Sequence, residues 1–247
     1  MSFASVDIGN TALKVTIWTN CDIDNKETLY ARSVDEAIDL LKDKKVECVG
    51  FCSTRILSEA EYKGVRDAGW WELKKGVRLP IAIDYATPDT LGTDRLAAAV
   101  GAKAQYPGMA VMVADAGTAL TLDIVDEKGV FQGGNISPGL EMRLRSLHEF
   151  TSRLPKVEWR EDKMMFGRDT ESAILDGAHW GLVAEISRLY EVAKQKLGCR
   201  RLILTGGDAP KIKDSLARLL NDKKELISDP DLVARGLYEA YKYENGR

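Results

Sequence analysis

Two short segments of the chain combine the residue types that bind phosphates and metal ions. The first, Asp7–Lys14, reads DIGNTALK, and the second begins at Asp115 and reads DAGTA. Glycine lets backbone N–H groups approach a phosphate closely, and the hydroxyl of a threonine such as Thr118 adds a further donor. A carboxylate in such a turn repels phosphate unless a cation lies between them. Asp7 and Asp115 are therefore candidate ligands of Mg²⁺ or another cation.

The elements that must position these segments are predicted to be two β-hairpins. Apolar, β-leaning runs flank both turns, and the Gly9-Asn10 pair supplies the backbone freedom that a tight turn requires. The second hairpin stands at the corresponding place of the second half of the chain, which therefore repeats the plan of the first. We expect the two turns to face each other across a cleft and to hold the phosphates of a nucleotide.

Asp94, Lys14 and the pair Gly206-Gly207 each allow two interpretations. Asp94 precedes an Ala-rich predicted helix and is either a base that accepts a proton from a substrate hydroxyl or an N-capping residue paired with its neighbour. Lys14 is either a phosphate ligand or an exposed strand lysine. Gly206 and Gly207 follow a buried-type strand, so their backbone either lies against a nucleobase or ribose or simply leads into the next helix.

The order of predicted elements is that of an α/β protein. Ser33 is a predicted N-cap, and Tyr106-Pro107-Gly108 is the predicted boundary between the halves. The first half is predicted to contain the hairpin at 3–18, strands at 28–32 and 45–52, and helices at 34–42, at 59–68 and from about Thr93. The second half is predicted to contain the hairpin at 113–125, a strand at 129–134, a turn at 135–139, a helix through Leu147, a helix from about 170 to 196, a strand at 201–204, and helices at 210–220 and 231–243.

Composition excludes several classes of protein. The net charge of −3 over 247 residues gives no overall basic bias for binding nucleic acid. No apolar run approaches the roughly 20 residues of a membrane helix, and no basic and apolar leader pattern indicates secretion. The four cysteines form no CxxC pair, so we expect reduced thiols in a cytosolic protein.

Together, these motifs resemble the superfamily of acetate and sugar kinases, actin and actin-like chaperone ATPases, and within it most closely type III pantothenate kinase. Asp7–Lys14 resembles that family's first phosphate motif, and Asp115 with Thr118 resembles the second. Leu91–Arg95, together with Tyr85 and Pro88, resembles the substrate segment with its Gly-x-Asp-Arg signature. Further matches follow in the family's order: Thr121, Asp123, Gly133–Gly134, Ile136, Pro138–Gly139, Leu154–Pro155, Gly167, Thr170, Ala173–Ile174 and Leu204–Asp208. Asp169 departs from the pattern, because asparagine is expected before Thr170.

The resemblance implies a fold of two similar actin-like, or ribonuclease H-like, halves, each a mixed sheet flanked by helices, with the active site in the cleft between them. It implies an N-terminal half at 1–107 with the first phosphate turn and the acceptor segment. The C-terminal half, 108–247, would hold the second phosphate turn, an adenosine turn and the helices of a homodimer. The implied protein is cytoplasmic, and the composition indicates no action on nucleic acid or membranes.

The function implied by the resemblance is ATP-dependent phosphorylation of pantothenate to 4'-phosphopantothenate, the first step of coenzyme A biosynthesis. Asp94 would be the base, and Asp115 would bind a monovalent cation, K⁺ or NH₄⁺. Pantothenate would be held by Tyr85, Gly92, Thr93, Asp94, Arg95 and Thr170. ATP and its Mg²⁺ would be bound by Asp7 (through water to Mg²⁺), Ile8, Gly9, Asn10, Thr11, Ala12, Leu13, Lys14, Thr118, Gly206 and Gly207.

Two alternatives stay open at this point. Another kinase of the superfamily would share both phosphate turns and differ only in the acceptor segment around Tyr85–Arg95 and Thr170. A nucleotide-binding regulatory protein without transferase activity would not need an acceptor-side carboxylate such as Asp94.

Overall fold

The structure, a computed structural model, describes residues 2–10, 12–19, 25–161 and 164–246. Thr11, a predicted ATP ligand, lies outside the described residues. The strands among them are β1 (Phe3–Ile8), β2 (Leu13–Trp18), β3 (Lys26–Ala31), β4 (Cys48–Ser53), β5 (Trp71–Glu72), β6 (Ala82–Ile83), β7 (Val111–Ala116), β8 (Ala119–Val125), β9 (Val130–Pro138), β10 (Arg201–Thr205) and β11 (Leu226–Ser228). The α-helices are α1 (Val34–Asp43), α2 (Glu59–Asp67), α3 (Thr93–Gln105), α4 (Leu140–Glu149), α5 (Thr170–Leu197), α6 (Ala209–Leu219) and α7 (Leu232–Glu244).

The strands form two sheets that repeat one topology. The first has the order β3-β2-β1-β4-β5, and the second has the order β11-β10-β7-β8-β9-β6. β1 pairs antiparallel with β2 and parallel with β4, and β7 pairs in the same way with β8 and β10. Asp7 and Asp115 are both the next-to-last residue of the repeated strand. The predicted α/β class with two similar halves is confirmed.

Packing divides the chain into two compact units. The first comprises the described chain up to Pro107, Gly129–Phe131 and the chain from Asp231 onward, and the second comprises Gly108–Lys128 and Gln132–Pro230. α7 thus belongs to the first unit, whereas the predicted domain bounds keep residues 108–247 together. We propose that the predicted halves, 1–107 and 108–247, are the two copies of the repeated topology. The compact units differ from these halves chiefly because α7 packs in the first unit.

Side-chain alternation on β1 explains why α7 packs in the first unit. Its even-numbered residues point into an apolar core shared with α1, and its odd-numbered residues point to the other face. On that other face, the Phe3 ring lies 5.0 Å from the ring of Tyr238 and 4.9 Å from that of Tyr241. Ser5 Oγ donates a hydrogen bond to the Ala234 carbonyl at 2.6 Å. Asp7 follows on the same face, one step closer to the turn.

α3 and α7 approach each other closely through two glycines. A Cβ atom built on Gly236 would lie 1.7 Å from the Ala97 carbonyl oxygen, and one on Gly101 would lie 2.4 Å from the Leu232 carbonyl oxygen. Real side chains do not fit at such distances, so the backbones themselves are in contact. This crossing fixes α3, whose first turn carries Asp94, against the sheet-covering helix α7.

We expect Gly236→Ala to lower the melting temperature, because the added methyl group must push two packed helices apart, at a cost of about 1–3 kcal/mol. Gly177→Ala is the matched control, since a Cβ atom on Gly177 in α5 meets no atom within 4 Å. That control should be neutral or stabilising, as alanine has the higher helix propensity. Thermal unfolding of both variants tests the prediction, and a Gly236→Ala protein as stable as the Gly177→Ala protein contradicts it.

Most predicted elements are found within a few residues of their expected bounds, and the differences have local causes. β9 continues to Pro138, so the turn predicted at 135–139 is wrong; Pro138, which lacks an N–H donor, stands at the end of the strand. β4 begins at Cys48 rather than residue 45, because Lys45 has φ of 53° and cannot continue an extended strand. The short strands β5, β6 and β11 are not predicted from the sequence. None of the helices in the described part of the chain is long and apolar enough to cross a membrane.

Candidate active site

The first phosphate turn presents its tip to solvent. The Gly9 N–H donates to the Ala12 carbonyl at 3.1 Å and closes the turn, and Asn10 and Ala12 are exposed. Ile8 and Leu13 are buried in the core on either side, so only their backbone groups are available to a ligand. The exposed backbone of this glycine-containing turn fits the requirements of a bound phosphate.

Asp7 lies partly buried below that tip among charged and polar neighbours. It pairs in register with Lys14 on β2 and with Cys52 on β4, and Cys52 Sγ donates to Asp7 Oδ1 at 3.7 Å. Burial, and next the negative charge of Asp94, raise the pKa of Asp7 to about 6, against the hydrogen bond from Cys52 and the charge of Lys14. The ionised form of Asp7 is therefore unfavourable unless a proton or a cation neutralises its charge.

The carboxylates of the first unit suit a divalent ion that is also bound by a nucleotide, rather than a metal site formed by protein side chains alone. Within the described ranges, no group of three or more His, Cys, Asp or Glu side chains is placed to hold a metal ion. Mg²⁺ in kinases is commonly bound by one or two carboxylates together with substrate phosphates and water. Asp7, with Asp94 nearby, fits that description.

Asp94 lies in the first turn of α3, and Gly92 is the N-cap residue. The interpretation of Asp94 as the N-cap is therefore wrong. A Cβ atom on Gly92 would lie 2.4 Å from Asp94 Oδ1, so the carboxylate lies directly against the glycine backbone. Burial raises the pKa of Asp94, and the hydrogen bonds from the Arg95 and Asp94 backbone N–H groups and the charge of Arg95 only partly oppose this. A raised pKa makes Asp94 a stronger proton acceptor.

Thr93 and Arg95 flank this carboxylate on opposite sides. Thr93 Oγ1 donates to the Ser53 carbonyl at 3.4 Å, which ties the start of α3 to the end of β4. Arg95 is 5% exposed, and its guanidinium carbon lies 5.8 Å from the Tyr85 ring centroid and 5.6 Å from the Phe131 ring centroid. Contacts with two aromatic rings restrict the guanidinium, and a restricted guanidinium suits the recognition of an anionic group.

Lys14 is held by an ion pair that the sequence does not reveal. Its Nζ lies 3.0 Å from Asp231 Oδ1, and Lys26 binds the other carboxylate oxygen. Burial alone would raise the pKa of Asp231, but hydrogen bonds from Lys26 and Lys14 keep it below its ordinary value. The ammonium of Lys14 is therefore fixed beside the first phosphate turn, between Asp231 and Asp7.

In the second unit, Asp115 lies against the loop that follows β10. Gly206 has φ of 93°, and a Cβ atom on it would lie 2.4 Å from Asp115 Oδ1. The Asp208 N–H donates to the Ala116 carbonyl at 2.8 Å, which fixes the start of α6 at the end of β7. The structure thus brings together two of the predicted site segments of this unit, the second phosphate turn and the Gly206-Gly207 turn.

The start of α4 is packed against the same turn. The Gly139 N–H donates to the Thr118 carbonyl at 3.1 Å, and a Cβ atom on Gly139 would lie 2.0 Å from the Gly117 carbonyl oxygen. Thr118 and Gly207 are exposed. Two helix N-termini, those of α4 and α6, therefore flank exposed donors, an arrangement that attracts anions such as phosphate.

Thr170 is the exposed first residue of α5, and Asp169 is its N-cap. The Ser172 N–H donates to Asp169 Oδ1 at 2.9 Å, and this backbone hydrogen bond is the main cause that lowers the pKa of Asp169. Aspartate and asparagine cap helices equally well. Asp169, where the resemblance implies asparagine, therefore keeps the capping function and adds a negative charge at the positive end of the helix.

Three residues of these surroundings were missed by reasoning from the sequence: Cys52, Phe131 and Asp231. Asp231 is 217 positions from Lys14, and no local pattern links the two. Phe131 meets Tyr85 because the Asp84 N–H donates to the Phe131 carbonyl at 2.9 Å across a two-residue pairing. Only the register of β1 and β4 places Cys52 beside Asp7.

Comparison with known proteins decides the family. A sequence model of type III pantothenate kinase matches residues 4–192. A type III pantothenate kinase of Azobacteroides pseudotrichonymphae is 37% identical over 243 residues, which cover 97% of this chain and 96% of that protein. The chain belongs to the type III pantothenate kinase family. The resemblance inferred from the motifs is confirmed.

Solved structures agree on the fold. A structure from Campylobacter jejuni described as a Baf family transcriptional activator has a TM-score of 0.64 and 21% identity, and covers 99% of this chain and 100% of that one. The activator of the 2-hydroxyisocaproyl-CoA dehydratase from Clostridium difficile, with bound ADPNP, has a TM-score of 0.55 and 15% identity, with 100% and 98% covered. At such identities the similarity shows the fold alone, that of the actin-like ATPases.

Membership of the type III pantothenate kinase family defines the reaction. The chain is a kinase that phosphorylates pantothenate at the expense of ATP, a step of coenzyme A biosynthesis, and it uses ATP with a divalent metal ion. The predicted function and enzyme class are confirmed.

Proposed function

We propose that Asp94 is the base of this reaction and accepts the proton of the primary hydroxyl of pantothenate. The observation that supports this role is the pKa of Asp94, which burial raises, at the start of α3 and within electrostatic reach of Asp7. A carboxylate with a raised pKa takes up a proton more readily as the hydroxyl oxygen attacks phosphorus. Phosphoryl transfer also depends on alignment, so Asp94 orients the hydroxyl as well as accepting its proton.

We propose that ATP is bound by Asp7–Lys14, by Thr118 and by the Gly206-Gly207 turn. Asp7 holds Mg²⁺ through water, and Lys14 faces the phosphates from its position beside Asp231. When bound, the divalent ion neutralises charge on the transferring phosphate. The exposed glycine turns and the N-termini of α4 and α6 support this assignment.

Pantothenate is an anion, and the residues proposed to hold it include one buried cation. Arg95, whose guanidinium carbon lies 5.8 Å from the Tyr85 ring centroid, is proposed to form a charge-assisted hydrogen bond to the carboxylate of pantothenate. Gly92, Thr93 and Thr170 are proposed to complete the acceptor site. The test of this function is ADP release with ATP and a panel of alcohol and carboxylate acceptors. ADP release that occurs with pantothenate and with no other acceptor of the panel supports the assignment, and preference for another acceptor overturns it.

We propose that Asp115 binds a monovalent cation, K⁺ or NH₄⁺, next to the Gly206 backbone. Replacing K⁺ in the assay by tetramethylammonium should raise the KM for ATP or abolish activity, because an ion too large for the site leaves the Asp115 charge facing the phosphates. Asp115→Asn should lose the dependence on K⁺, and Asp214→Asn, at an exposed position of α6, is the control. Equal activity in both salts removes this role from Asp115.

The proposed assembly is a cytoplasmic homodimer. The buried Cys199 is a free thiol, which supports a reducing compartment. Exposed apolar side chains of the second unit, including Phe150 at 84% and Phe166 at 83%, support a subunit contact on that unit.

A further inference from the structure

We infer that Asp176 and Trp180 of α5 are positioning residues for pantothenate, because together they fix the chain that leads to Thr170. The inference rests on the proposed role of Thr170 in the acceptor site. Neither residue belongs to a motif of the sequence, and neither contacts Thr170 directly in the helix, since both lie further along α5.

Both side chains bind the backbone of the same residue, Met164. The Met164 N–H donates to Asp176 Oδ1 at 3.0 Å, and Trp180 Nε1–H donates to the Met164 carbonyl at 2.7 Å. Residues four apart lie on the same face of a helix. The acceptor and the donor on α5 thus satisfy both polar groups of one backbone unit, as a neighbouring strand would. We call this pair the Met164 clamp.

Burial of the Asp176 side chain is energetically unfavourable. It is 3% exposed, and in the part of the chain that the structure describes its Oδ2 atom has no hydrogen-bond partner. Desolvating a carboxylate oxygen without a partner is unfavourable, so the core gains nothing from the carboxylate itself. Its hydrogen bond to Met164 is the contribution that a smaller or apolar residue could not supply.

Trp180 contacts a buried histidine that is itself hydrogen-bonded to α6. The His179 ring lies 5.2 Å from the Trp180 ring in an edge-to-face contact, and His179 Nε2 lies 2.8 Å from Ser215 Oγ on α6. His179 is fully buried. The indole N–H is therefore held in place by the packing of α5 on α6, and it can define the position of the Met164 carbonyl.

A second anchor follows only three residues after Met164. A Cβ atom on Gly167 would lie 2.2 Å from the Ala173 nitrogen, so the chain lies directly on the first turn of α5. The Arg168 and Asp169 N–H groups donate to Ser172 Oγ at 3.0 and 3.1 Å. Between the two anchors, Met165 and Phe166 are 53% and 83% exposed. The Met164 clamp thus fixes one end of a short, exposed loop whose other end leads into Thr170.

We expect Trp180→Phe and Asp176→Ala to raise the KM for pantothenate roughly tenfold, with kcat and the KM for ATP within about twofold of wild type. A loop that samples more conformations binds the acceptor less well but presents the same groups once it is occupied. Asp176→Asn keeps an oxygen that can accept from the Met164 N–H, so it should retain a KM near wild type. Trp70→Phe, in the first unit, controls for the loss of an indole ring.

A KM for pantothenate within twofold of wild type in both clamp variants overturns the inference. So does a parallel change of kcat and both KM values with a lowered melting temperature, because it indicates general damage to the fold. Thr170→Val tests the proposed acceptor site separately. If that variant keeps the wild-type KM, the role of Thr170 is refuted, while the clamp is still decided by its own variants.

Discussion

Asp94→Asn is expected to lower kcat by about 10²–10⁴-fold while the Kd for ATP stays close to that of the wild type. The amide has nearly the shape of the carboxylate but cannot accept the proton of the attacking hydroxyl. The amide carries no charge, so the variant also loses one of the two causes that raise the pKa of Asp7. The resulting lower pKa of Asp7 should strengthen the binding of ATP with its metal by no more than a small factor. Steady-state kinetics and nucleotide titration measure the two quantities.

The control for this variant is Asp89→Asn, in the same segment and on an exposed turn where Asp89 forms a weak ion pair with Lys75. That protein should have wild-type turnover. If the transition state is loose, alignment contributes more than proton removal, and the loss in Asp94→Asn falls towards the lower end of the range. Wild-type turnover in Asp94→Asn ends the assignment of Asp94 as base.

Asp7→Asn is expected to abolish activity and, at neutral pH, to raise the melting temperature. Burial, followed by the charge of Asp94, raises the pKa of Asp7 from 3.8 to about 6. The folded protein therefore binds this proton more tightly than the unfolded chain does. The resulting stabilisation is complete below pH 3.8 and is lost as the pH rises through 6. Above pH 6, the ionised Asp7 costs folding free energy that a neutral asparagine does not.

The pH dependence distinguishes this explanation from a general effect of the substitution. The difference in melting temperature between Asp7→Asn and wild type should grow from about pH 4 to pH 6 and then stay constant. In the wild type, activity should decline below pH 6 as a proton competes with the metal ion for Asp7. A melting temperature of Asp7→Asn below that of wild type at pH 7.5 contradicts the prediction.

The sequence predicts what is decided locally. The hairpin around Gly9-Asn10, the N-cap at Ser33, whose side chain accepts from the Glu36 N–H, and the start of α3 are all recognised from neighbouring residues. The motif series also locates the family and hence the reaction. Position within a motif does not, however, reveal which partner holds each side chain, as the pairing of Lys14 with Asp231 shows.

What could not be predicted depends on contacts between distant parts of the chain. β5 and β6 contain two residues each, too few for a periodic pattern, and they exist because a neighbouring strand offers hydrogen bonds. The placement of α7 in the first unit follows from the fit of its tyrosines on Phe3 and from the contact between Gly101 and Gly236. Such a fit becomes visible only in three dimensions.

The packing of α7 on the first sheet has a consequence for synthesis on the ribosome. Phe3 and Trp18 are covered by Ala234, Tyr238 and Tyr241, so their apolar face stays open while the whole second unit is being translated. During that interval the first phosphate turn also lacks the carboxylate that holds Lys14. The order of translation therefore delays completion of the first unit until α5 has already been made, and an apolar face that stays uncovered for so long favours aggregation of the early chain.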